Sequence, residues 1–149
     1  MGISLIAGLT LAALSVPLPA DLTHRTQVAH RDGAVDVTYH GKVDLAHHQR
    51  GAVTPPGVAG VRRCDWTGTV SVSRHITRPG AAATLSTIVA HDRVVDGSRH
   101  GDCLVARKGI ERDVAAHRPT LEAHMAAVAA RDRASVLADL DAAAALASR

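Results

Sequence analysis

Large aromatic side chains are nearly absent from this chain of 149 residues, which contains one Trp, one Tyr and no Phe. Aromatic rings contribute much of the buried area of an ordinary core, so a core without them gains less free energy per residue. Proteins that hold single-stranded nucleic acid also need aromatic rings on which to stack its bases. The composition therefore argues against a nucleic-acid partner and predicts that a covalent cross-link supplements the core.

Sequence motifs that directly indicate catalysis or metal binding are missing as well. The chain has no HExxH and no CxxC, two spacings that are typical of zinc sites. No serine lies in a GxSxG pattern, which a nucleophile elbow requires. We therefore predict no cofactor and no catalytic residue, and we favour a protein that is not an enzyme.

The N-terminal segment, residues 1–20, has the pattern of a secretory signal. Its uncharged apolar run, Ile3–Val16, ends before Pro17 and Pro19, and Ala20 is a small residue at the expected cleavage point. The run is shorter than the ~20 residues that a membrane span needs, although an uncleaved anchor stays an alternative. We expect a periplasmic or secreted protein that meets the membrane only transiently, through this segment.

Cys64 and Cys103 are the only two cysteines of the chain. An even number of cysteines in an exported protein indicates a disulfide, because the compartment is oxidising. Closing a loop of roughly 40 residues stabilises a fold by about 4 kcal/mol in the chain-entropy model. We predict a Cys64–Cys103 bond that joins two strand-like segments.

Hydrophobic periodicity divides the mature part, residues 21–149, into two regions of a single domain. Apolar and polar residues alternate in the first region, which predicts half-buried strands, whereas apolar residues of the second recur at helical spacing. This order predicts an α+β fold, with an antiparallel β-sheet of about three to five strands followed by a helical C-terminal third. The predicted segments are a loose start or edge strand (21–33), a sheet (34–106) with strands at 34–45, 63–76 and 82–91, loops at 46–60 and 96–102 and a short strand at 103–106, and helices (109–149).

Two residues of the helical third indicate where helices begin. Pro119 interrupts the apolar stripe, so either the helix kinks there or a second helix starts with Pro in its first turn. Asp132 has the chemistry of an N-cap and predicts the start of a further helix. The apolar residues of that helix pack either on the chain's own sheet or on a partner. They are Val136, Leu137, Leu140 and Leu146.

Ten histidines leave metal binding open as an alternative function. Zinc needs three or four ligands that converge to within ~2.1 Å of the ion. Spacing along the sequence cannot show such convergence, so we predict no metal ligand and keep a set of candidates. The candidates are His40, His47, His48, His117 and His124.

A hydrolase is the third hypothesis, and it rests on residues 98–103, where Ser98, His100 and Asp102 alternate. Nucleophile, base and orienting acid come together through the fold and not through sequence adjacency. The alternation alone therefore assigns no catalytic role to these residues.

Several stretches of the chain resemble small exported proteins of GC-rich Gram-negative bacteria that have no assigned function. The stretches are VDVTYHGKVDLAHH at 35–48, CDWT at 64–67, SRHGDC at 98–103 and AARDRASVLADLD at 129–141. The resemblance implies a periplasmic or extracellular location and one disulfide, and it transfers no activity. We expect a non-catalytic envelope protein, a binding or structural module whose partner is another protein or a cell-envelope component.

Signal cleavage is the first testable expectation. Protein recovered from the periplasm or the medium should begin at Asp21, because a signal peptidase cuts after a small residue such as Ala20. Intact-mass measurement of the recovered protein checks this. A chain that keeps residues 1–20 would show the uncleaved anchor instead.

Overall fold

Four antiparallel strands in the order β1-β2-β3-β4 are followed by two helices, which is the predicted α+β fold. The computed structural model describes residues 21–31, 33–52, 54–77 and 85–148. The predicted signal and residues 82–84 of the predicted third strand lie outside the described residues. The elements are β1 (Leu22–His30), β2 (Gly33–Gly51), β3 (Arg62–Thr77), β4 (Leu85–His100), α1 (Cys103–Ala116) and α2 (Arg118–Ala147).

Strand β3 shows why the alternating runs form a sheet with one covered face. Every second residue from Cys64 to Ile76 is buried, and the residues between them are partly exposed. Successive side chains of a strand point to opposite faces, so one apolar row per strand is enough for a one-sided core. The helices cover the apolar face, while the outward face of β3 carries short polar side chains such as Thr69 and Ser71.

The structure decides one open alternative at residues 21–33 and corrects the prediction of a loop at residues 46–60. Residues 21–33 contain an edge strand, since β1 pairs with β2 from Leu22 to His30. The loop predicted at residues 46–60 begins later, because β2 continues to Gly51 in unbroken register with β3. Pairing with a strand that is distant in sequence gives these residues backbone partners that local composition does not reveal.

The predicted strand at residues 103–106 is wrong, because these residues form the first turn of α1. Strand β4 runs to His100, through most of the predicted loop at 96–102. Gly101 then turns the chain at φ 101°, and the Asp102 side chain caps the helix by accepting from the Leu104 N–H at 2.9 Å. The disulfide therefore joins a strand to a helix and not two strands.

The two helices meet at His117, and Pro119 lies in the first turn of α2. This confirms a second helix that starts with Pro, as opposed to a kinked one. The helix start predicted at Asp132 is wrong, because α2 is continuous from Arg118 to Ala147. Neither helix in the described ranges is long and apolar enough to cross a membrane.

Asp132 instead forms an ion pair with Arg74, whose charged side chain is buried against the sheet. Arg74 of β3 is only 3% exposed, and its Nη1 donates to both carboxylate oxygens of Asp132, at 3.0 and 2.9 Å. Its Nη2 donates to Asp139, and the Tyr39 hydroxyl donates to Asp132 at 3.1 Å. A buried guanidinium is tolerated only when it is paired. The ion pairs therefore fix the position of α2 across β2 and β3.

The apolar stripe of α2 packs on the chain's own sheet through most of its length. Val136 and Leu140 are buried, and Leu137 packs against the same core at partial exposure. Leu146, near the end of the helix, is 72% exposed. The core interpretation is confirmed for the first three residues, and Leu146 does not take part.

Tyr39 should lose its proton at an unusually high pH. Burial, followed by the Asp132 carboxylate, raises the pKa of Tyr39 from 10.0 to about 12. The folded protein holds this proton more tightly than the unfolded chain does. This contribution to stability is therefore complete below pH ~10 and is lost as the pH rises through the folded-state pKa.

The absorbance of tyrosinate measures this pKa directly, because Tyr39 is the only tyrosine. We expect a midpoint near 12 in the folded protein and near 10 in denaturant. Asp132→Asn should lower the folded midpoint, because the carboxylate charge and its hydrogen bond both favour the neutral phenol. Equal midpoints in folded and denatured protein would contradict the buried pairing.

Candidate functional site

Strand β2 has nineteen residues and its neighbour β1 has nine. Strand β1 pairs only with Gly33–Gly41. Within residues 21–31, 33–52, 54–77 and 85–148, no strand covers the same side of Lys42–Gly51. We name this side of Lys42–Gly51 the open edge. A long strand beside a short one leaves backbone donors and acceptors available for another strand.

The main-chain groups that point to the open edge follow from the register. The Gly101 N–H donates to the Arg62 carbonyl at 2.8 Å, which directs Arg62 and every second residue of β3 toward β4. Arg63 therefore bonds to β2, where its partner is Arg50. The residues that alternate with Arg50 direct their N–H and C=O groups away from β3. They are Val43, Leu45, His47, Gln49 and Gly51.

A groove of about 590 Å³ lies between the open edge and the first turn of α1. Val43 and Leu45 of β2 line it on one side, and Leu104 of α1 lines it on the other. Leu104 is 86% exposed, the largest exposed fraction among the large apolar side chains of the described residues. The volume of the groove lies within the range of ligand sites, which runs from about 300 to 1,000 Å³. Unpaired main chain and an apolar trough thus occur side by side.

The rim of the groove carries charges that are paired with one another. Lys42 Nζ lies 2.8 Å from Asp44 Oδ1, and Arg107 Nε lies 3.3 Å from Glu111 Oε1. All four residues line the groove. Exposed pairs of this kind contribute little to stability, about 0–1 kcal/mol.

The groove is preformed because α1 is fixed at its first residue. Cys103 is bonded to Cys64 of β3 with a Cα–Cα distance of 4.9 Å, which confirms the predicted pairing. Gln49 of β2 holds the same residue through its Oε1, which accepts from the Cys103 N–H at 2.8 Å. Gln49 Nε2 donates in turn to the carbonyls of Arg63 and Gly101, at 3.1 and 3.3 Å.

A second contact fixes α1 almost three turns further along, at Asp113. Arg99 of β4 donates to both carboxylate oxygens of Asp113, at 2.6 and 2.7 Å. These hydrogen bonds hold the pKa of Asp113 below its usual range. The guanidinium lies over Gly109, where a Cβ atom would come within 2.5 Å of Arg99 Nη1. Glycine at this position therefore lets the helix approach β4.

The histidines proposed as metal ligands in the strands do not face one site. His40 and His48 lie on the outward face of β2, and His47 lies on the inward face, where it lines the groove. The nearest described ring to His40 is His75, at 5.0 Å between centroids. Among the described residues, no group of three or more His, Cys, Asp or Glu side chains is placed to hold a metal ion.

The two candidate histidines of the helices contact other residues. His117 lies between α1 and α2, and its ring stands edge-on to Trp66 at 6.2 Å. His124 of α2 lies within ion-pair distance of Asp92, at 3.3 Å, without hydrogen-bond geometry. The two histidines do not lie on one helix, because His117 ends α1 and His124 belongs to α2.

The structure does not arrange Ser98, His100 and Asp102 as acyl transfer requires. Ser98 Oγ accepts a hydrogen bond from Arg63 Nη2, and Asp102 is used as the cap of α1. Across the sheet, Ser98 stands opposite Asp65. His100 is the last residue of β4 and stands opposite Arg63, so Ser98, His100 and Asp102 occupy three different structural positions.

Removing the Gln49 side chain should loosen the first turn of α1. Gln49→Ala leaves the Cys103 N–H without its acceptor, and we expect the free energy of unfolding to fall by about 1 kcal/mol. Chemical denaturation of the oxidised protein measures the change. His48→Ala is the matched control, because this neighbour is exposed and points outward. Equal effects of the two substitutions would contradict the anchoring role of Gln49.

The sequence does not predict the groove, because the apolar–polar alternation ends at Leu45 and Gln49 lies in a segment with the composition of a loop. Leu104 was assigned to a strand, so nothing brought it next to β2. No protein-family model, no curated protein and no solved structure matches this chain.

Proposed function

We propose that this protein is an exported, non-catalytic module that binds an extended polypeptide segment along the open edge. The observation that supports it is the juxtaposition of Val43–Gly51, whose outer side no described strand pairs, with the apolar groove between β2 and Leu104. An added strand would take its affinity from main-chain hydrogen bonds, and its specificity from side chains that enter the groove.

A polypeptide fits this surface better than a compact small molecule. Side chains of an added strand alternate between the two faces of the sheet, so every second one would enter the groove beside Val43 and Leu45. The groove follows the strand and is bordered by main-chain donors and acceptors over its length. An extended chain satisfies these groups repeatedly, which a small ligand cannot do.

Export is the other half of the proposal, and its support is independent of the groove. Residues 1–20 have the pattern of a secretory signal. The Cys64–Cys103 bond suits an oxidising compartment, where such bonds persist. The partner is therefore a polypeptide that is exposed to the same compartment.

Site-specific photocrosslinking in the native envelope tests the proposal. A photoreactive amino acid at Leu104 should give covalent adducts with polypeptide, because this side chain lies in the groove. The same substitution at Ile88, which is 75% exposed on β4, is the matched control and should give none. Equal adduct yields at both positions, or none at Leu104, would sink the proposal.

A proline substitution shows whether the main chain of the open edge takes part. His47→Pro removes an N–H that points to the open edge and leaves every β2–β3 hydrogen bond in place. His47→Ala keeps that N–H and is the control. Leu104 adducts should fall at least tenfold with His47→Pro and persist with His47→Ala. Unchanged adducts with His47→Pro would exclude strand addition, provided that both variants keep the melting temperature of the parent.

A further inference from the structure

We infer that the segment bound along the open edge is the open edge of a second copy, which gives a two-fold symmetric dimer with one continuous sheet. The inference rests on the proposed function, since it names the partner of that same surface. It depends on three observations: a self-complementary register, a matching order of charges, and the position of Leu104.

The register is self-complementary about His47. Two open edges that run antiparallel with His47 at the two-fold axis set Leu45 opposite Gln49 of the partner subunit, and Val43 opposite Gly51 of the partner subunit. These residues all direct their main-chain groups to the open edge, so donors meet acceptors along its length. The pairing does not overlap β1, whose last partner is Gly41.

The open edge also lacks two of the devices that prevent strand pairing, proline and a bulge. Natural edges are commonly interrupted by proline or by a bulge. Lys42–Gly51 contains no proline, and its register with β3 is unbroken. Bulges do occur in this sheet, between β3 and β4, where two register shifts follow Gly68 and Val72. The regular part of the sheet is thus the part that is left open.

The charges of the outward face select the same register. Centred on His47, the pairing sets Asp44 opposite Arg50 of the partner subunit, and symmetry repeats the contact. Sliding one strand by two residues would set Lys42 opposite Arg50 of the partner subunit. Opposite charges across a strand pair are stabilising and like charges are destabilising. Charge complementarity therefore favours a second copy in one alignment.

The dimer would also cover the exposed side chain at the groove. The two-fold axis is perpendicular to the sheet, so both α1 helices lie on the same side of it. Each Leu104 then faces a groove that Val43 and Leu45 of both copies extend. Covering Leu104, which is 86% exposed, removes apolar surface from water and favours association.

A charge-exchange experiment tests the inference. Light scattering of the purified, oxidised protein should give twice the monomer mass. Asp44→Arg and Arg50→Asp should each raise the dimer dissociation constant at least tenfold, because each sets like charges opposite one another. An equimolar mixture of the two variants should restore the dimer, because every pair is again of opposite sign. Unchanged melting temperatures control for loss of the fold.

Two outcomes would overturn the inference while the proposed function survives. In the first, the unsubstituted protein is a monomer and its Leu104 adducts contain a different polypeptide. These adducts are lost with His47→Pro. Another is a dimer that persists in Asp44→Arg and in His47→Pro, since it would use another surface. Adducts of monomer mass that join Leu104 to residues 1–20 of the same chain would overturn both proposals, because the chain's own N-terminal segment would then occupy the open edge. Absence of any Leu104 adduct would overturn both proposals together.

Discussion

The bond between Cys64 and Cys103 joins the start of β3, an inner strand of the sheet, to the first residue of α1, and much of the molecule is arranged around it. With no Phe and a single Trp, the core has few large contacts with which to hold a helix. Closing the loop between these cysteines contributes about 4 kcal/mol in the chain-entropy model, a large fraction of a small domain's stability. The same bond fixes the groove, because Leu104 follows Cys103 directly.

Polar contacts fix the positions of the two helices on the sheet, because few aromatic side chains are available to do so by packing. Arg74 reaches Asp132 and Asp139 from beneath α2, and Arg99 reaches Asp113 of α1. Burying a charge costs free energy, so these ion pairs contribute little net stability. Their main effect is to favour one position of each helix over others. Sliding α2 by one turn would leave Arg74 without a partner. The helices are therefore located by charge as much as by hydrophobic contact.

The open edge results from a difference in strand length and needs no special motif. Strand β2 continues past β1 because β3 supplies a partner for all of it. Helix α1 lies mainly against β3 and β4, so no element among the described residues covers the edge of the last part of β2, and its inward face is only partly covered. A binding surface can thus arise where three ordinary elements end at different points. It carries no signature that a search for catalytic or metal motifs would detect.

The sequence by itself determined the α+β class, the alternating strands around Tyr39 and Trp66, the break in the helical stripe at Pro119 and the Cys64–Cys103 pairing. These features depend on local periodicity, on residue geometry and on an even number of cysteines. Only the tertiary structure decided that β2 extends to Gly51, that Cys103 begins a helix, and that Asp132 pairs with Arg74. Each of these depends on a partner distant in the chain, and hydrogen bonding and charge pairing between distant residues leave no local pattern. The groove at Leu104 also depends on residues distant in the chain, because β2 forms one of its sides and the first turn of α1 forms the other.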